Sequence, residues 1–178
     1  EAAGDLFDEE LLSLLRKIPK GMIQLEIGIQ STNRKTLQAV NKKTDLDKVF
    51  SCVREIVSFE NIHVHVDLIA GLPYEDIDSF RNSFNETYNL KAHKLQLGFL
   101  KLLKGSAIRN ESAYHGYKYR DYPPYEILSC KYLNYDEIIL LKGIEEVLER
   151  YYNSGRFLHT LNYAIRNIYK DPFEFFRL

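Results

Sequence analysis

Three side chains able to ligate, titrate or accept hydrogen bonds recur two apart in one stretch. They are His63, His65 and Asp67, within HVHVDLIAGLPYEDIDSF at positions 63–80. That spacing puts them on one face of a strand, with Val64, Val66 and Leu68 on the other. Same-face neighbours lie about 6.6 Å apart, close enough for two to share an ion. An HxH pair beside a carboxylate suits zinc-type ligation, so a metal-dependent β/α-barrel hydrolase would use His63, His65 and Asp67. The same residues could instead satisfy one another inside a small barrel, or line a pocket for a polar organic cofactor. Polar groups in a core are costly unless something meets them.

A second stretch has the same two-faced character. In MIQLEIGIQ (22–30), Ile23, Leu25, Ile27 and Ile29 alternate with Gln24, Glu26, Gly28 and Gln30. A doubly wound open sheet carries helices on both faces and reads as apolar on both. A closed or partly closed β/α barrel has one helix-covered face and one lumen face. The polar residues of both strands then point into one cavity. Barrel sites lie at the C-terminal ends of strands, which puts Gln30 and Asp67 near the chemistry and Gln24 and His63 at the bottom.

The elements that position these residues follow from periodicity. Residues 7–18 carry Leu11, Leu12, Leu14, Leu15 and Ile18 at helical spacing, with Asp5 available as a cap. STNRKTLQAVNKK reads as a short helix started by Ser31 or Thr32, and Asp45 starts another through Val57. Glu75 to about Leu90 is the next helix, Glu75 and Asp76 favouring its first turn. KLQLGFLKLL (94–103) is a third strand. Strands separated by helices imply a parallel sheet with crossover connections. From residue 106 the chain is Tyr-rich and charged, suiting a short helix and an irregular connection through Pro123 and Pro124. Two helices follow, one from Asn134 or Asp136 to Gly155 and one over 157–169. The apolar end DPFEFFRL must dock on something.

Composition excludes several classes. The 178 residues carry a formal net charge of -1, which gives no bulk attraction to nucleic acid or anionic membranes. No apolar run reaches the roughly 18 residues of a membrane helix. The two cysteines, Cys52 and Cys130, are far apart, so a reducing cytoplasmic setting is expected rather than a disulfide framework. The stretch YHGYKYRDYPPY (114–125) mixes aromatics with Lys and Arg. It is the basis for a further possibility, a non-catalytic module binding a partner or nucleic acid.

LEIGIQSTNRKTLQAVNKKT, VDLIAGLPYED and LGFLKLLKGS occur in that order. Together they resemble the C-terminal half of the radical S-adenosylmethionine (SAM) core. The first two are similar to elements of anaerobic coproporphyrinogen oxidases and methylthiotransferases. The third, with the Tyr-rich helical tail, is similar to cobalamin-binding radical SAM proteins that resemble the anaerobic magnesium-protoporphyrin monomethyl ester oxidative cyclase. The resemblance covers roughly residues 5–110. It implies an α/β fold, the C-terminal half of a partial TIM-type (β/α)6 barrel over 1–124, followed by a helical extension over 125–178. It implies that Gln30, Lys42 and Asp67 position SAM and that Glu26 and Gly28 shape the lumen. No proton-transfer or catalytic residue and no metal ligand is implied here. Lys42 stands where Arg is usual, so it meets a carboxylate or ribose without a bidentate fork. Gly71, Leu72 and Pro73 would turn at the rim.

The resemblance also implies a [4Fe–4S] cluster on a CxxxCxxC motif, which these residues do not contain. The segment is therefore expected to be inactive by itself, part of an enzyme that cleaves SAM to a 5′-deoxyadenosyl radical acting on an unidentified small molecule. Cobalamin, if used, would sit on an upstream domain. A half barrel would expose strand edges and could self-associate through them.

Overall fold

A computed structural model describes residues 2–177. A three-stranded parallel sheet runs in the order β1 (Gln24–Gln30), β2 (His63–Ala70), β3 (Lys94–Phe99). Before it lies α1 (Glu9–Arg16). Between β1 and β2 come α2 (Arg34–Ala39) and α3 (Leu46–Ser58), and between β2 and β3 comes α4 (Ile77–Tyr88). After the sheet follow α5 (Ala107–Asn110), α6 (Ser112–His115) and a small antiparallel hairpin of β4 (Lys118–Tyr119) and β5 (Ile127–Ser129). The chain ends in α7 (Tyr135–Leu148), α8 (Leu158–Asn167) and α9 (Pro172–Phe176).

The strand–helix alternation and both sheet faces match the sequence pattern. Ile27, Ile29, Val64, Val66, Leu68, Leu95 and Leu97 are buried beside Val53 and Ile56 of α3 and Phe80 and Phe84 of α4. The opposite face is half-buried or exposed throughout. Its rows read Glu26, His65, Lys94 and then Gly28, Asp67, Gln96 across the three strands. One greasy face and one polar face is what an incomplete barrel requires.

Several caps differ from expectation. Asp8, not Asp5, caps α1 by accepting from the Leu11 N–H. Asp5 instead accepts from Thr44 Oγ1 and the Asp45 N–H, tying the Lys42–Thr44 loop to the segment before α1. Asn33 caps α2, because the chain turns once more after β1 and buries Ser31. Helix α4 starts at Asp76, which leaves Glu75 outside it. The connection around Pro123 and Pro124 is the turn of the β4–β5 hairpin. The helix after Asn134, closed by an Asn134–Glu137 capping box, widens into a π turn at Glu149–Asn153. In that turn the Asn153 side chain donates to the Leu95 C=O and accepts from the Leu95 N–H. It mimics a neighbouring strand at the free edge of β3. At the other edge, the Ala2 N–H donates to Glu26 O in a parallel bridge. The apolar end docks as its composition requires, Phe173 and Phe176 packing on Phe84 of α4. Among the described residues no helix is long and apolar enough to cross a membrane.

Candidate functional site

Strand β1 ends irregularly. The pairing with β2 slips between Gly28 and Gln30, and Gln30 adopts φ 66°. A non-glycine residue pays for that left-handed conformation. Two charged side chains hold the backbone there. The Asp67 carboxylate accepts from the Ile29 N–H at 2.9 Å, and the Lys42 ammonium donates to the Gly28 carbonyl at 2.6 Å. Gln30, Lys42, Asp67 and Gly28 therefore converge on one bulge at the C-terminal end of the sheet. A cavity of about 360 Å³ opens beside it, lined by Gly28, Lys42 and Thr44 with Ala2 to Asp5 opposite. A larger hollow of about 620 Å³ lies on the α2–α3 side of Lys42. Glu26 stands one row lower, opposite His65.

The histidines belong to the other end. His63 is exposed, and its ring lies 4.8 Å from those of both His65 and His93. His65 contacts the Gln24 amide, and His93 Nδ1 accepts from the Val64 N–H. Burial comes first, and neighbouring His63 second, in pushing the His65 and His93 pKa values below normal. Asp67 accepts from the Ile29 N–H of β1. Among the described residues no three His, Cys, Asp or Glu side chains are grouped to hold a metal. The three-ligand site on His63, His65 and Asp67 does not form, because two-residue spacing along one strand spreads the groups instead of closing them around an ion.

Glu75 is the site-region residue that periodicity misplaced. It is fully buried between β1's end and α4. Its Oε1 accepts from Ser31 Oγ at 2.6 Å and Ser83 Oγ at 2.8 Å. Ser83 Oγ in turn accepts from the Thr32 N–H, and Ser31 Oγ from the Asn33 N–H. Its Oε2 has no hydrogen-bond partner among the described residues. Burial pushes the carboxyl up to about 7, against the two serine hydrogen bonds that pull it down. The loop that carries Gln30 thus stands on a buried carboxyl. An acidic pair before a helix normally signals capping, and only the Ser31 and Ser83 partners reveal the difference.

The rim is built by close approach. Gly71 has φ 90°, and a Cβ there would meet Ile127 Cδ1 at 1.9 Å. The Tyr117 hydroxyl donates to the Gly71 carbonyl. Arg109 stacks between Tyr119 and Tyr125, each 5.2 Å from its guanidinium. Within the Tyr-rich stretch, Tyr117 is buried against the sheet rim, while Tyr114 and Tyr122 stay exposed.

The chain is 28% identical over 78 residues to ribosomal protein uS12 methylthiotransferase RimO of Caldicellulosiruptor saccharolyticus, covering 43% of this chain and 18% of RimO. It is 31% identical over 91 residues to the oxygen-independent coproporphyrinogen III oxidase of Synechocystis, covering 49% and 18%. It is 28% identical over 111 residues to the oxygen-independent coproporphyrinogen-III oxidase-like protein HemZ of Bacillus subtilis, covering 62% and 22%. Over part of its length the chain is thus similar to a methylthiotransferase and to coproporphyrinogen oxidase proteins. It spans about a fifth of the length of those three relatives. The coproporphyrinogen III oxidase HemN of Escherichia coli, described as a radical SAM enzyme, aligns in structure at 20% identity and TM-score 0.49, covering 64% of this chain and 31% of HemN. Residues 113–178 match a family described as protein of unknown function (DUF4080).

Proposed function

We propose that this chain forms the C-terminal, SAM-binding half of a radical SAM barrel and that residues 125–178 extend it. The observation that carries the reading is the convergence of Gln30, Lys42 and Asp67 on the Gly28–Gln30 bulge beside a cavity. An ammonium and a carboxylate held on one backbone segment suit a ligand bearing both a carboxylate and an amine. Lys42 would meet the carboxylate, Asp67 the amine or a ribose hydroxyl, and Gln30 the remaining polar edge. Glu26 and Gly28 would form the lumen wall below. When bound, SAM supplies the carbon–sulfur bond whose reductive cleavage starts radical chemistry.

An iron–sulfur cluster does not fit the residues present. Burial pushes the Cys52 thiol up to about 11, and it lies in the core on α3, while Cys130 sits beside Leu133. A cluster needs several thiolates close together, so its ligands belong to other residues of the enzyme. Cobalamin, on this reading, also belongs to another domain, and no described residue is assigned to it. Two unpaired cysteines suit a reducing cytoplasm.

The test is a calorimetric titration of the chain with SAM. Binding is expected, and Lys42→Met and Asp67→Asn should each weaken it about tenfold, ~1.4 kcal/mol. His63→Ala, at the far end of the sheet, should leave it unchanged. Equal affinity in all three variants would defeat the assignment.

A further inference from the structure

Above the C-terminal end of β2 stands a cluster of phenols and ammonium groups. Tyr74, four residues past the strand, adopts φ 62°. A bulky residue in that region costs about 1–3 kcal/mol, where Gly or Asn would cost little. The surrounding structure holds the strain: Asn33 Nδ2 donates to the Tyr74 carbonyl. The result is a ring turned toward Tyr132 at 5.2 Å and His115 at 5.5 Å, with its hydroxyl 3.5 Å from that of Tyr114. Tyr132 Oη lies 3.0 Å from His115 Nδ1.

Two ammonium groups rest on these rings. Lys35 Nζ lies 4.2 Å from the centre of Tyr74, and Lys131 Nζ lies 5.0 Å from that of Tyr114 while donating to the Tyr114 carbonyl. Among the described residues neither ammonium forms an ion pair with a carboxylate. The nearby carboxylate, Glu111, stands 3.5 Å from His115 Nε2. Tyr114 remains 64% exposed, so ring packing alone does not account for the arrangement. Cations placed over ring faces keep their remaining N–H donors for an anion, and phenol hydroxyls add further donors.

We propose that Lys35, Lys131, Tyr74 and Tyr114 form a subsite for an anionic group, carboxylate or phosphate, carried by the substrate. This rests on the reading that the reaction takes place at this end of the sheet. The ammonium groups supply charge, the two hydroxyls supply direction, and the strained Tyr74 turn fixes their spacing. SAM, held at the Gly28–Gln30 bulge, would leave this subsite to the second reactant.

The chain is titrated at low ionic strength with inorganic phosphate and, separately, with malonate, following the tyrosine ring resonances. At least one anion should saturate in the millimolar range and move the Tyr74, Tyr114 and Tyr132 signals, and the tighter of the two identifies the chemistry. The double variant Lys35→Met, Lys131→Met should weaken that binding about tenfold or more. Tyr114→Phe, which keeps the ring, should weaken it several-fold without changing the melting temperature. Failure of both anions to move these rings, or unchanged affinity in the double variant, overturns the subsite. SAM is titrated into the same samples. Anion binding absent with SAM binding intact sinks the subsite alone, and the converse sinks the SAM reading alone.

Discussion

Glu75 and the histidine group bias stability in opposite directions with pH. The folded Glu75 carboxyl titrates at about 7, above its ordinary 4.5. The folded state therefore holds a proton that the unfolded chain releases. Its contribution is complete below about 4.5 and is lost as pH rises through 7. At about 1.4 kcal/mol per pKa unit the loss is of order 3 kcal/mol. Glu75→Gln keeps the shape and both serine contacts, so it should remove the fall in the chemical-denaturation midpoint that Glu75 causes between about pH 5 and 7, leaving the opposite histidine trend. His65 and His93 are held below 6.5, so their contribution is present above that value and is lost as pH falls. His93→Asn should reduce the acid sensitivity below pH 6. Gln30 allows a split between stability and binding. Gln30→Gly relieves a left-handed backbone and should raise stability by up to about 1 kcal/mol. If Gln30 contacts SAM, the same variant must weaken SAM binding. A variant that leaves SAM binding unchanged or improves it contradicts the role given to Gln30.

At the scale of elements, the sheet depends on two devices that pattern alone does not disclose. Gly71 lets β5 lie against the end of β2, with Ile127 where a Cβ would be. Gly71→Ala combines a disfavoured φ with a clash and should cost about 2–4 kcal/mol in urea unfolding. Asn153 closes the edge of β3 with one amide. Asn153→Leu removes both bonds while keeping bulk, leaving the Leu95 N–H and C=O unmet at a cost of about 1–3 kcal/mol. Amide exchange should accelerate at Leu95 and not at Val64 in the centre of the sheet. Equal acceleration at both would mean that Asn153 supports the fold generally rather than the edge.

At the scale of the molecule, what could be seen in the sequence were the periodic parts. Strict alternation in β1 and β2 specifies a greasy helix face and a polar lumen face, and both are present. Helices α3 and α7 begin where Asp45 and Asn134 cap them. Long-range partners were not legible. Asp67 carries the mark of a buried carboxylate, yet nothing in HVHVD says that it holds the Ile29 N–H rather than an ion. Glu75 reads as a helix-start acid because its serine partners lie 44 and 8 residues away. Asn153 lies 58 residues from the strand that it covers.

The most direct measurement of the central claim is backbone NMR of the ¹⁵N-labelled chain during addition of SAM. The account predicts shifts at Gly28 to Ser31, around Lys42 and at Asp67 to Ile69, with His63 and His93 unmoved. Shifts confined to the histidine end, or none at millimolar SAM, would contradict it.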